Sequence, residues 1–138
     1  MIYQHRARVV LAIVAIGSRV LLAQDSYLDR CLNKADTQLA KNVCAEAEAT
    51  RADDQLAGLY NRVVVTARRV GTAEKIDALQ TAWTLYRDVY IDARFPAKDK
   101  LAAYGPTFQM DVLLLRAELT RRQIDAVREL LKHYEESK

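Results

Sequence analysis

The sequence predicts an all-α protein, a small antiparallel bundle of three long helices plus a short N-terminal helix. Apolar residues recur at intervals of three and four along most of the chain, and no stretch of useful length alternates as a strand would. Residues that favour helix ends flank each periodic stretch. The 138 residues are 51% hydrophobic and 28% charged, which is typical of one globular domain.

Residues 1–23 have the pattern of a secretory signal peptide, so residues 24–138 are predicted to form the folded domain. Basic residues precede an apolar run over residues 9–16, and the small Ala23 stands before a polar stretch. Arg19 interrupts the apolar part, which is therefore short for a membrane span. A retained membrane anchor or a mistaken start codon is the alternative. Cleavage predicts a periplasmic or secreted protein, with no stable membrane insertion and no lipid-attachment cysteine at the cut.

The net charge depends on that cleavage. The full chain carries 21 Lys and Arg against 18 Asp and Glu, a formal charge of +3. Removal of Arg6, Arg8 and Arg19 would leave 18 basic and 18 acidic residues. A neutral domain has no overall field that attracts nucleic acid or anionic lipid. Nucleic-acid binding is therefore not expected.

The first two helices are predicted from their caps. Ser26 can cap a short turn that leads to Cys31, and Asp36 with Thr37 can cap a long helix. Gly71 is expected to end that long helix, because glycine accepts the left-handed conformation of a helix C-cap. Its apolar stripe is Leu39, Val43, Ala47, Leu56, Leu59, Tyr60, Val63, Val64, Ala67 and Val70.

The third helix contains the only tryptophan and has the clearest periodicity. Thr72 is its candidate N-cap, and Pro96 ends it at about Arg94. Its stripe, which we expect to face the core, is Ile76, Leu79, Trp83, Tyr86 and Tyr90. Within this stripe, Trp83 and Tyr86 are predicted to fill the bundle. Residues 96–106 are predicted to form a loop, and a last long helix runs from Thr107 to about Tyr134.

Cys31 and Cys44 are the only cysteines. An isolated pair in an exported protein is typical of a disulfide, which here would tie the N-terminal segment to the start of the long helix. A reactive or metal-binding thiol pair is the alternative. Such a site needs further ligands, and the only histidine of residues 24–138, His133, lies far away in the sequence.

The sequence does not predict an enzyme, a metal or a cofactor. A serine or cysteine nucleophile needs a base beside it, and the single histidine of residues 24–138, His133, is interpreted as a solvated residue near a helix end. Acidic residues crowd one part of the long helix, and paired carboxylates can hydrolyse glycans. A solvated acidic helix surface is far more common. The acids are Glu46, Glu48, Asp53 and Asp54.

Asp53 and Arg87 each border an apolar stripe on a different helix. We therefore hypothesise a partly buried, bidentate ion pair between them. The alternative is that each side chain faces water independently.

Four groups of residues match the motifs of one protein family. An opening Cys…Thr-Gln…Cys pattern is matched by Cys31, Thr37, Gln38 and Cys44. An Ala-Asp-x-x-Leu-Asn-x-x-Tyr signature is matched by Ala52, Asp53, Leu56 and Tyr60. An Ala-Trp-x-x-Tyr-Arg-Asp core is matched by Ala82, Trp83, Tyr86, Arg87 and Asp88, and a final Leu-Thr by Leu119 and Thr120. Together these groups resemble the LprI family, exported bacterial proteins similar to lysozyme inhibitors.

The sequence departs from that family at several positions. Ile91 and Leu115 stand where the family usually carries a second cysteine pair, as expected if apolar side chains replaced a buried disulfide. Ala57 and Gln123 stand where the family has asparagine and arginine.

The resemblance implies a small helical domain that blocks lysozyme or a similar muramidase by binding, without catalysis. The expected contact surfaces are the acidic residues of the long helix, since many lysozymes are cationic, and the loop before the last helix. The candidate contact residues are Glu46, Glu48, Asp54, Tyr104 and Phe108. The alternative is a periplasmic structural or adaptor protein that docks a partner of the cell envelope.

Overall fold

A computed structural model describes residues 26–136, and the expected signal peptide lies outside this range. Helices account for the regular structure there, and residues 26–136 contain no strand. The helices are α1 (Tyr27–Leu32), α2 (Gln38–Arg68), α3 (Ala73–Arg94), α4 (Lys100–Tyr104) and α5 (Phe108–Glu136). The all-α prediction is therefore confirmed. None of the described helices is both long enough and apolar enough to cross a membrane.

Side chains cap the first two helices as predicted. The Ser26 hydroxyl accepts a hydrogen bond from the Asp29 backbone N–H at 3.1 Å, and the Asp29 carboxylate accepts from the Ser26 backbone N–H at 3.1 Å. Hydrogen bonds from the Ser26 side chain and backbone hold the pKa of Asp29 below its usual value. Thr37 accepts from the Ala40 backbone N–H at 3.1 Å. These bonds satisfy backbone donors that each helix start leaves unpaired.

The turn between α2 and α3 differs from the prediction in one residue. Gly71 has a φ of 71°, the left-handed conformation expected after a helix C-terminus. Thr72, however, makes no side-chain cap for α3. Its hydroxyl instead forms a hydrogen bond of 2.9 Å with the Tyr134 hydroxyl. Thr72 thus joins this turn to the end of α5, which is why it is not available to α3.

The predicted loop over residues 96–106 contains the short helix α4. The Asp99 carboxylate caps it by accepting from the Ala102 backbone N–H at 2.9 Å. The Tyr104 hydroxyl accepts from the Ala97 backbone N–H at 3.0 Å, so it closes the segment on itself. A helix of five residues is too short to show an apolar period, so α4 was not predicted from the sequence.

Successive long helices run antiparallel, so α2 and α5 run parallel to each other. Hydrogen bonds join them in the same order along both helices, from Asn42–Gln109 at the start to Tyr60–Gln123 further along. The pair α2 and α5 forms the main interface, and α3 lies along its outside. The core consists of Leu56, Leu59, Tyr60, Val63, Ala67, Ile76, Trp83, Leu119, Ile124, Val127 and Leu131.

The predicted core stripe of α3 is only partly correct. Ile76 and Trp83 are buried, but Tyr86 is 54% exposed, and Leu79 and Tyr90 are also classed as exposed. The prediction that Tyr86 fills the bundle is wrong, because α3 is the outer helix and packs against α2 and α5 along one edge of its apolar face. The periodicity identifies the apolar face of α3, but it does not show how much of that face packs against another helix.

The predicted stripe of α2 is wrong at its two ends. Leu39, Val43 and Val70 are exposed. At the start of the helix, the inward side is taken by Asn42, Cys44 and the neighbouring Ala45, which are buried. The small residues bring α5 close, and the larger side chains of this end point outward.

The predicted disulfide is confirmed. Cys31 of α1 is bonded to Cys44 of α2, with a Cα–Cα distance of 5.7 Å. The Arg51 guanidinium also lies over the Tyr27 ring, 3.7 Å from its centroid. This contact is a cation–π interaction. α1 contributes no buried residue of its own, so these two contacts hold it on the bundle.

Removal of the disulfide by Cys31→Ala/Cys44→Ala should lower the free energy of unfolding by about 3 kcal/mol, because the unfolded chain regains the freedom of the closed loop. Urea unfolding of both proteins measures this difference. Reductant should bring the wild type to the stability of the variant and leave the variant unchanged. Equal stability of the two oxidised proteins would contradict the stabilising role.

Candidate functional site

Asp53 of α2 lies at the centre of a polar cluster that joins all three long helices. Arg87 of α3 places Nη1 3.6 Å from Oδ1 of Asp53. From α5, Arg116 pairs with Oδ2, and the Thr120 hydroxyl donates a hydrogen bond to Oδ1 at 3.1 Å. The hypothesised ion pair between Asp53 and Arg87 is therefore present, and the two side chains are only partly exposed. Its bidentate geometry is wrong, because Arg87 turns Nε and Nη2 to Asp88 and only Nη1 to Asp53.

Asp88, which ends the Ala-Trp-x-x-Tyr-Arg-Asp motif, pairs with Arg87. Nε and Nη2 of Arg87 each lie 2.9 Å from Oδ1 of Asp88, so this carboxylate orients the guanidinium next to Asp53. Tyr86 does not take part; its ring lies 5.9 Å from Trp83 and 5.8 Å from Tyr90, centroid to centroid. Arg87 and Asp88 thus belong to the polar cluster, whereas Tyr86 contacts other aromatic rings.

Arg116 and Thr120 were not predicted as partners of Asp53. They lie one helical turn apart on α5, so their side chains can reach the same carboxylate. Thr120 is fully buried, and a buried hydroxyl requires a hydrogen-bond partner. The Leu-Thr motif marked Thr120 in the sequence, but no pattern indicated which acid it would contact.

A small cavity opens beside this cluster between α2 and α3. Its volume is about 170 Å³, below the range of typical ligand pockets. Its lining consists of Asp53, Leu56, Ala57, Tyr60, Gln80, Trp83, Thr84 and Arg87. The signature residues of α2 and α3 therefore line the same cavity, where their polar groups chiefly bind one another.

Tyr60 connects this region to α5. Its hydroxyl accepts a hydrogen bond from Nε2 of Gln123 at 2.8 Å, although the resemblance led us to expect arginine at that position. Burial raises the pKa of Tyr60 above its ordinary value of 10.0, and the hydrogen bond from Gln123 opposes that effect. The amide thus supplies a neutral donor to a buried phenol.

The Thr-Gln motif at the start of α2 also contacts α5. Nε2 of Gln38 donates to Oδ1 of Asn42 at 2.9 Å, and Nδ2 of Asn42 donates to Oε1 of Gln109 at 3.1 Å. Thr37 caps the helix, and Gln38 orients the buried Asn42. Nothing in the sequence pattern indicated this chain of amides.

Ile91 and Leu115, which replace the second cysteine pair of the family, are partly buried and pack against the core. Ile91 lies on α3, and Leu115 lies on α5. Apolar packing therefore occupies the positions at which the family resemblance implies a covalent link.

The candidate acidic residues separate into two groups. Glu46 and Asp54 are exposed, and neither forms an ion pair within the described part of the chain. Glu48 is partly buried and pairs with Arg51 and with Arg121, the latter at 2.6 Å. Its charge is therefore balanced within the protein, whereas those of Glu46 and Asp54 remain available.

Tyr104 and Phe108 form an aromatic cluster with Phe95. The ring centroids of Phe95 lie 5.2 Å from Tyr104 and 5.3 Å from Phe108, both edge to face. Such contacts stabilise the loop beyond simple area burial. Both candidate residues are partly buried, so they shape the loop and present only part of their surface.

No cluster of three or more His, Cys, Asp or Glu side chains suited to a metal occurs in residues 26–136. Cys31 and Cys44 are bonded to each other, so the alternative of a thiol site is wrong.

These features define a small, disulfide-linked helical domain whose signature residues hold its helices together. The family described as lysozyme inhibitor LprI matches residues 31–127, and the chain belongs to this family. Comparisons with curated proteins and with solved structures gave no significant match.

We expect Asp53 and Arg87 to be energetically coupled. Asp53→Ala should destabilise more than Arg87→Ala, because it leaves two arginines and a buried hydroxyl without their partner. In a double-mutant cycle, the coupling energy should be about 1 kcal/mol. Urea unfolding of the four proteins measures it.

Asp125 and Arg128 provide a matched control, since they form a pair of 2.8 Å that is exposed on α5. The same cycle there should give about 0.3 kcal/mol or less. Additive effects of Asp53→Ala and Arg87→Ala would show that their proximity has no energetic consequence.

Tyr60→Phe should lower the free energy of unfolding by about 1 kcal/mol near neutral pH through loss of the hydrogen bond from Gln123. Because folding raises the pKa of Tyr60, its contribution is complete below the pKa of the unfolded chain, about 10. That contribution decreases as the pH rises through the folded pKa.

The stability difference between wild type and Tyr60→Phe should therefore shrink above about pH 10. Denaturant unfolding at a series of pH values tests this. Tyr86→Phe, at an exposed ring, should change stability little at neutral pH. A difference at Tyr60 that grows with pH would mean that the sign of the pKa shift is wrong.

Proposed function

We propose that this protein is an exported bacterial inhibitor that binds lysozyme or a related muramidase and blocks its active-site cleft without catalysis. Membership of the family described as lysozyme inhibitor LprI carries this proposal. A helical bundle with exposed polar surfaces can act in this way, because steric occlusion requires only a complementary surface.

Export is part of the same proposal. The disulfide between Cys31 and Cys44 supports it, since structural disulfides persist mainly in oxidising compartments such as the periplasm. The apolar N-terminal segment over residues 1–23 supports it independently, as a signal peptide. A periplasmic location would place the inhibitor where an attacking muramidase meets the cell wall.

The proposed contact surface extends from one end of the bundle to the middle of α2. The hydrogen bond between Asn42 and Gln109 places the start of α2 beside the start of α5. Glu46 follows Asn42 by one helical turn, and Phe108 precedes Gln109 directly. The available carboxylate of Glu46 and the aromatic loop therefore lie near each other.

Electrostatic attraction supports this surface. Glu46 and Asp54 lie about 12 Å apart along α2. Both are exposed, and no arginine within the described residues neutralises them. A cationic lysozyme would approach such a surface faster and bind it more tightly at low salt. The aromatic cluster of Phe95, Tyr104 and Phe108 would hold the adjacent loop in one shape, which reduces the entropy lost on binding.

The activity test is the clearing of a cell-wall suspension by lysozyme. Micromolar protein should slow the loss of turbidity, and added salt should weaken the effect. No inhibition at micromolar protein would contradict the proposed function and would favour the alternative of an envelope adaptor.

Glu46→Lys/Asp54→Lys should raise the concentration needed for half-inhibition by about tenfold or more, because two attractive charges become repulsive. The matched control is Asp125→Lys/Glu129→Lys, which makes the same charge change at exposed positions of α5. The control should retain inhibition. An equal loss of inhibition in both variants would show that only the net charge of the protein matters, and it would contradict this contact surface.

A further inference from the structure

One face of α3 is apolar and exposed along most of the helix. Residues at intervals of three and four place their side chains on this side, away from α2. We call these residues the α3 face, and all of them are exposed: Ala78, Leu79, Ala82, Leu85, Tyr86, Val89, Tyr90 and Ala93. From Ala78 to Ala93 the face is about 22 Å long.

The α3 face is large for a surface patch without a partner. Its five large side chains are between 38% and 66% exposed. With the alanines they present roughly 500 Å² of apolar area, at the upper end of what monomeric proteins expose. Two such faces together would bury about 1,000 Å², the lower limit for a specific protein interface. The area is thus sufficient for a modest dimer.

We propose that the α3 face binds the α3 face of a second copy of this chain, with the two helices antiparallel about a two-fold axis near Tyr86. A two-fold interface brings the same patch together from both copies. Centred on Tyr86, it places Leu79 opposite Ala93 of the second copy and Tyr90 opposite Ala82. Leu79 and Tyr90 then each meet an alanine, an arrangement that lets two surfaces interdigitate, and the two Tyr86 rings meet at the axis.

The composition of α3 does not favour a membrane surface as the partner. Helices that lie on membranes carry Lys and Arg on their polar side, where they meet anionic lipid. The polar side of α3 carries four acids, Glu74, Asp77, Asp88 and Asp92, against two arginines, Arg87 and Arg94, so its net charge is negative. A second copy, with an identical apolar face, fits this helix better.

Sedimentation equilibrium of the protein, purified after export by a bacterial host, tests the proposal. The weight-average mass should rise from one copy towards two as the concentration increases through the micromolar range. A single monomeric mass up to about 1 mM would overturn the proposal. Binding to vesicles of anionic lipid by a protein that stays monomeric would also overturn it and would assign the α3 face to a membrane.

Leu85→Glu should weaken dimerisation by about a hundredfold, because symmetry places the buried charge in the interface twice. Leu101→Glu is the matched control, since Leu101 on α4 is 67% exposed and Leu85 is 66% exposed. The control should dimerise like the wild type. Both positions are solvated and helical, so circular dichroism should show that both variants fold. Equal dimerisation of the two variants would overturn the α3 face as the interface.

Cross-linking tests the antiparallel arrangement. Tyr86→Cys, near the two-fold axis, should form a disulfide-linked dimer under mild oxidation. Ala78→Cys should not, because two-fold symmetry separates the two Ala78 positions by about 24 Å along the helices. Equal cross-linking at both positions would contradict the antiparallel orientation. These measurements contain no lysozyme, so their outcome is independent of the inhibitory function.

Discussion

The carboxylate of Asp53 is the point at which the three long helices are joined. α2 presents it, α3 supplies Arg87, and α5 supplies Arg116 and Thr120. A partly buried carboxylate with several donors is costly to leave unpaired, so the cluster disfavours any arrangement that separates these helices. Burial of apolar side chains supplies most of the driving force. The polar cluster sets which faces of the helices meet.

The predictions that succeeded rest on local chemistry. Ser26 and Thr37 cap helices because their hydroxyls can reach nearby backbone N–H groups, and Gly71 adopts a conformation that other residues avoid. The pairing of Cys31 with Cys44 was predictable because no other cysteine exists. The pairing of Asp53 with Arg87 was predictable from their positions beside two apolar stripes.

The predictions that failed depend on which helices are neighbours. The periodicity of α3 could not show that Tyr86 lies outside, because an apolar face for the core and one for a partner have the same spacing. Arg116 had no visible partner in the sequence, since 63 residues separate it from Asp53. The hydroxyl of Thr72 bonds to Tyr134, 62 residues further along the chain, and so does not cap α3. Contacts of this kind follow from the parallel packing of α2 and α5.

The domain combines a rigid interior with two distinct surfaces. The signature residues of the family lie mostly in the interior, where they hold the helices together, so they identify the fold better than they explain its activity. The end of the bundle near Glu46 and Phe108 carries the proposed inhibitory contact, and the α3 face carries the proposed dimer contact. The two are separate, so a dimer could present two inhibitory ends.

Calorimetric titration of lysozyme, with its cleft either empty or filled by a chitin oligosaccharide, tests the inhibitory contact most directly. If this protein occludes the cleft, binding to the empty enzyme should be measurable at micromolar concentrations and should weaken as the oligosaccharide saturates. Binding that is unaffected by the oligosaccharide, or the absence of binding to the empty enzyme, would contradict occlusion of the active-site cleft.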